Sequence, residues 1–197
     1  MMLSQDEFRK IVNPLERPTK TWHCSFSYLE TWLHCESEDI EHGVELVPDF
    51  QRGHVWTKKQ QTNYIENVLR LIVDESGLTI RFNCPSWRKD RAKDSDLLDQ
   101  MVCIDGLQRL TAIRRFIAGE LKVFGLKFAQ LPRRQIFRDL QIVVKMYDFQ
   151  YKSDLLKFYL DINGGGIAHS RNEIKRVRTM LEKVLEENKA DENDPST

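Results

Sequence analysis

The chain of 197 residues, 41% hydrophobic and 30% charged, has the size and apolar content for one sizeable domain rather than two. Thirty basic residues offset thirty acidic ones, so no chain-wide field draws it to nucleic acid or lipid, and any such contact must come from a local patch. The apolar stretches are far too short for a membrane span, the first residues carry no signal-peptide pattern, and collagen, coiled coil and long disordered tail are excluded as main descriptions. Cys24, Cys35, Cys84 and Cys103 are widely spaced without a Cys-x-x-Cys, which reads as reduced thiols in a cytoplasmic setting. His23-Cys24 and His34-Cys35 lack the short knuckle spacing of zinc ligands.

In chain order, Ser4-Gln5-Asp6-Glu7 is a capping box that opens a short helix to about Val12, before Pro14 and Pro18. Ser27-Tyr28-Leu29-Glu30 predicts a second, with Tyr28, Leu29, Trp32 and Leu33 on its core face. Val44–Val47 alternates as a strand ended by Pro48, and Asp49–Thr57 is a loop. A helix follows from Lys58, striped by Tyr64, Ile65, Val68, Leu69 and Ile72, and Leu78–Phe82 reads as a strand. Asn83–Gln100, rich in Lys, Arg and Asp, reads as a solvated or mobile insertion. Met101–Ile104 is a buried-type strand, Asp105-Gly106 a turn, and Leu107–Ala118 a helix closed by Gly119. Pro132–Asp139 predicts a helix, Gln141–Tyr147 the clearest strand, and Ser153–Ile162 a helix capped by Ser153. After the Asn163-Gly164-Gly165-Gly166 loop, Ser170-Arg171-Asn172-Glu173 opens a helix to about Glu186, and Asn188–Thr197 reads as a polar, frayed tail. Short strands among many helices point to an α/β or α+β domain.

Three loops carry the candidate chemistry. In Pro48–Trp56, Gln51 and Arg52 project polar groups from a stretch otherwise anchored by Phe50, Val55 and Trp56, and an Arg offers a fork of donors suited to phosphate or carboxylate. A surface loop plugged by its aromatics would look the same. In Ile104–Ala112 a buried strand turns at Asp105-Gly106 straight into a helix, whose first N–H groups favour an anion within reach of Arg109. Asp105 there either holds a divalent ion or caps the helix, and no Walker A pattern is present. The glycine run at 164–166 implies a tight turn, close ligand approach or a plain connector. His54 and His169 border these loops, Asp161 and Glu173 flank the glycine turn, and Arg171, Lys175, Arg176 and Arg178 read as a solvated face.

Taken together, the loops resemble three motifs of one family. Pro48–Trp56 is similar to P-(D/E)-(F/Y)-Q-R-G-Y-V-W, Asp105–Leu110 to D-G-Q-Q-R-L, and Asn163–Glu173 to N-x-G-G-x-x-x-S-x-x-E. They occur in this order in the N-terminal domain of GmrSD-type restriction endonucleases, a family resembling the ParB/sulfiredoxin fold and found in phage-defence systems, other prokaryotic proteins and phages. The resemblance runs from about Ser25 to Glu182. Leu107 stands in place of the first Gln of the second motif, His54 in place of Tyr, and His169 in place of Leu.

The resemblance implies an α+β, ParB/sulfiredoxin-like domain over residues 25–187, preceded by an N-terminal extension (1–24) and followed by a disordered tail (188–197). It implies a nucleoside triphosphate as ligand or substrate, with Mg²⁺ at Asp105. Gln51, Arg52, Asp105, Gln108 and Arg109 form the implied catalytic set. Gly106, Arg109, Asn163, Gly165, Gly166 and Ser170 form the implied nucleotide-binding set. No His-Asn-His-like segment follows the third motif, so DNA cleavage is expected from a separate nuclease or defence protein. Two alternatives stand beside this reading. One is a ParB-like DNA binder or nuclease using Arg81, Arg88, Lys89, Arg91 and Lys93, and the other a non-enzymatic regulator or decoy acting through protein partners. A homo-oligomer stays open.

Overall fold

The computed structural model describes residues 2–87, 91–132, 140–164 and 171–192. Five strands form one mixed sheet: β1 (Lys20–Ser25), β2 (Val44–Glu45), β3 (Thr79–Asn83), β4 (Met101–Asp105) and β5 (Gln141–Tyr147). Their spatial order is β1-β5-β3-β4-β2. β1 and β5 are antiparallel, as are β3 and β4, whereas β3/β5 and β2/β4 are parallel. Among the described residues the helices are α1 (Gln5–Val12), α2 (Leu29–Asp39), α3 (Lys58–Leu69), α4 (Glu75–Leu78), α5 (Leu107–Ile117), α6 (Lys152–Gly164) and α7 (Arg171–Glu192). The domain is α+β.

Alternation along the strands gives the sheet two apolar faces. Ile80, Phe82, Met101, Cys103, Ile142, Val144 and Met146 meet Leu29, Ile65, Leu110, Ile113 and Phe116 of α2, α3 and α5. On the other face Val102, Ile104 and Tyr147 meet Phe50, Leu155, Tyr159 and Val177, the last three from α6 and α7. Burying each such large side chain contributes about 1.5–3 kcal/mol. The α6–α7 pair therefore packs on the face of the sheet made by β4 and the end of β5, beside the 48–56 loop.

Several expectations change. β1 was not anticipated and lies in the stretch read as an N-terminal extension; only Trp22 and Cys24 of it turn inwards, so its apolar signal is faint. The Ser27 capping box does not form: α2 starts at Leu29 without a side-chain cap, and Glu30 pairs with Arg114 of α5 at 2.6 Å. The Ser4 box does form, and an unforeseen one joins Thr57 and Gln60 at the start of α3. α3 ends at Leu69, leaving Ile72 exposed. Ser153 lies inside α6, and Asp96 accepts the Lys152 N–H at 2.7 Å. α6 also takes in Asn163 and Gly164, and α7 continues to Glu192. The expected helix over 133–139 and the tail from 193 lie outside the described residues.

The insertion is not free. Ala92 N donates to Gln150 Oε1 at 3.0 Å, Ser95 Oγ to Gln150 O at 2.6 Å, and Tyr151 bonds Asp94. Its charged composition hides a segment latched onto the start of α6.

Candidate functional site

β4 ends at Asp105 and α5 begins at Leu107, so Gly106 alone makes the corner. Its φ of +100° lies where side chains are disfavoured, and an added Cβ would stand 2.6 Å from Ile80 Cδ1 and 3.2 Å from Arg109 Nη2. Glycine is needed both for the turn and for Arg109 to fold back over it. Arg109 Nη2 donates to Thr79 O at 2.9 Å and to Asp105 Oδ2 at 3.0 Å. Arg81 Nη1 reaches the same carboxylate oxygen at 2.5 Å.

The 48–56 loop is fixed against this corner from three sides. The Gln51 side-chain amide is buried among main-chain carbonyls: one end lies 3.4 Å from Ile104 O, the other 3.2 Å from Cys103 O and 3.3 Å from Leu46 O. Turning its NH₂ towards the latter two satisfies both donors. Gln108 clamps the far end, its Oε1 accepting from Val55 N at 2.8 Å and Trp56 N at 3.1 Å while Nε2 donates to Gly53 O at 3.2 Å. From α7, Arg176 Nη2 donates to Phe50 O at 3.2 Å. The Phe50 ring packs edge-on against Tyr159 at 5.2 Å between centroids. Val55, expected as an anchor, is half exposed.

Arg52 leaves this loop to pair with Glu173 of α7, Nε to Oε2 at 3.2 Å. Glu173 is buried, and its other oxygen accepts from the Tyr159 hydroxyl at 2.8 Å. Burial, and after it the neighbouring Glu173 carboxylate, hold the Tyr159 phenol far above its ordinary range, so it stays a donor.

Arg52 and Arg109 thus line one hollow of about 110 Å³, together with Gln51, Trp56, Asp105, Gly106, Gln108 and Glu173. The first N–H groups of α5, which lack intrahelical acceptors, lie at its edge. Two guanidiniums and two carboxylates face each other there, an arrangement that suits a phosphate-sized anion exchanging places with a carboxylate. Asn163 does not line it; its Nδ2 donates to Tyr159 O at 2.8 Å, one step behind Glu173. Gly165, Gly166, Ser170 and His169 lie outside the described residues.

The sequence profile of the GmrSD restriction endonuclease N-terminal domain matches residues 33–196. The chain belongs to this family. No curated protein and no solved structure matches it. Membership ties this GmrSD N-terminal domain to restriction and phage defence. The Gln-Arg of its first motif and the Asp-Gly and Gln-Arg of its second meet at one hollow. Leu107, in place of the usual Gln, turns into the core and is buried. His54 sits partly buried beside Trp56 and Arg115, and burial lowers its pKa.

Tyr159 carries no local signal in the sequence, while composition groups Arg176 with a solvated face and Arg81 with a basic cluster. Arg81 instead belongs to the Asp105 corner and Arg91 donates to Leu97 O, while Arg88 and Lys89 lie outside the described residues. Among the described residues no group of three or more His, Cys, Asp and Glu is placed to hold a metal ion. Asp105 does not suit a metal ligand here, because a dication at its carboxylate would stand beside two guanidiniums already sharing one of its oxygens. No described helix is long and apolar enough to cross a membrane.

Proposed function

We propose that this GmrSD N-terminal domain is a nucleotide-binding module of a restriction system, taking the terminal phosphates of a nucleoside triphosphate at the Gly106 corner. The observation that carries this reading is the shared hollow of Arg52 and Arg109 at the start of α5. In it the two guanidiniums neutralise phosphate charge, and Gly106 lets an oxygen approach the main-chain N–H groups. Gln51 and Gln108 hold the walls rather than touch the ligand, since main chain occupies both amides. A volume of about 110 Å³ accommodates a phosphoryl group but not a nucleoside, which lies outside it. Mg²⁺ enters this reading only as the counter-ion of the nucleotide. DNA cleavage is assigned to a nuclease component whose action the nucleotide state governs.

The test is a thermal-shift screen of the four ribonucleoside triphosphates with and without Mg²⁺, because a ligand specific to the native state raises Tm by mass action. At least one is expected to raise Tm, and Arg109→Ala to abolish the shift. No shift with any triphosphate, or an affinity unchanged in Arg109→Ala by calorimetry, refutes the placement.

A further inference from the structure

β3 and β4 pair with Asn83 opposite Val102 and Phe82 opposite Cys103. One more step of that register would set Arg81 opposite Ile104. A bulge between Arg81 and Phe82 intervenes, and Arg81 stands opposite Asp105. Bulges re-aim side chains beside functional sites. Here the result is a carboxylate shared by two guanidiniums: Asp105 Oδ2 lies 2.5 Å from Arg81 Nη1 and 3.0 Å from Arg109 Nη2. The three side chains are only 20–23% exposed, so water screens them weakly.

Two positive groups and one negative leave this cluster with one net positive charge at the mouth of α5. Arg109 alone against Asp105 would leave none. We infer that Arg81 is a positioning residue of the anion site: by sharing Asp105 it turns that carboxylate into an internal counter-ion and keeps a positive charge available to phosphate without a metal ion at Asp105. The inference rests on the phosphate reading of the same hollow and adds to it a residue outside the three motifs.

The experiment is calorimetric titration of pyrophosphate in EDTA into the wild-type protein, Arg81→Met, Arg81→Lys, Asp105→Asn and the Arg81→Met/Asp105→Asn double variant. Their clusters carry charges of +1, 0, +1, +2 and +1. Affinity is expected to fall roughly tenfold in Arg81→Met and rise by a similar factor in Asp105→Asn. Arg81→Lys and the double variant should stay near wild type. A purely structural Arg81 would lower Tm without producing this charge order. Wild-type binding with equal affinity in Arg81→Met overturns the role of Arg81 while leaving the nucleotide reading intact. Binding only when Mg²⁺ is supplied overturns the metal-free site alone, and no binding under either condition overturns both. Should Arg81→Met fail to fold, Arg81→Lys and Asp105→Asn decide: loss of binding in both refutes the inference.

Discussion

The hydroxyl of Tyr159 donates to Glu173 Oε1 at 2.8 Å, tying the two helices that cover one face of the sheet to the carboxylate that faces Arg52. Because Glu173 is buried, losing this donor uncovers a desolvation cost. Tyr159→Phe is expected to destabilise the protein by about 1–3 kcal/mol, measured by urea unfolding. A change within error would mean that the hydroxyl supplies nothing the site needs.

Gln108 joins two motifs through three hydrogen bonds to Gly53, Val55 and Trp56. In Gln108→Leu the N–H of Trp56 loses its acceptor, and a loss of about 1–2 kcal/mol is expected. Limited proteolysis should then cut near 53–56 faster than in wild type. Identical cleavage patterns would show that the loop is held without Gln108 by its other anchors, Gln51, Arg52, Phe50 and Arg176.

Gly106→Ala combines a strained φ with a Cβ 2.6 Å from Ile80 Cδ1. A cost of about 1–3 kcal/mol is expected from the backbone conformation. Arg109 should also be displaced, so anion binding falls further than the stability loss explains. An alanine variant with wild-type stability and affinity would contradict the described corner.

His54 has its pKa lowered, chiefly by burial and further by the charge of Arg115. The unfolded imidazole therefore binds protons more readily than the folded one, and stability rises with pH where the two forms differ. The contribution is complete above the ordinary value of 6.5 and is lost as pH falls through the lower folded value. Thermal melts between pH 7.5 and 5 should decline more steeply in wild type than in His54→Gln. Parallel curves would remove His54 from the pH response.

Of the four thiols, only Cys35 is exposed. Burial pushes Cys24 up to about 11 and raises Cys84 and Cys103 as well, so few thiolates form at neutral pH. Iodoacetamide should label one cysteine quickly in the native state and all four after unfolding. Fast native labelling of Cys103 would mean that β4 opens readily.

Elements with their own local signal were legible in the sequence. Gln141–Tyr147 reads as a strand and is one, residue for residue, because a run of Ile, Val and Met buried on both faces needs no partner to announce itself. The start of α5 reads just as clearly from Asp105-Gly106. Residues whose role depends on a distant partner were not legible. Arg81 owes its place to a bulge that shifts register by one residue, and composition alone groups it with surface cations. Tyr159 and Arg176 look like ordinary helix residues until α6 and α7 bring them to Glu173 and Phe50. The insertion reads as solvated because Lys, Arg and Asp dominate it, while in the fold Ser95 and Asp96 hydrogen-bond at the start of α6.

β1 lies outside the stretch that the family profile matches, yet it is the outermost partner of β5 along six residues. A shortened protein beginning at residue 33 would leave the N–H and C=O row of that strand bare, next to Ile142, Val144 and Met146. Such an unsheathed border templates self-association. A fragment that keeps the chain from Lys20 onwards is therefore expected to stay monodisperse where one beginning at residue 33 self-associates, as size-exclusion chromatography would read.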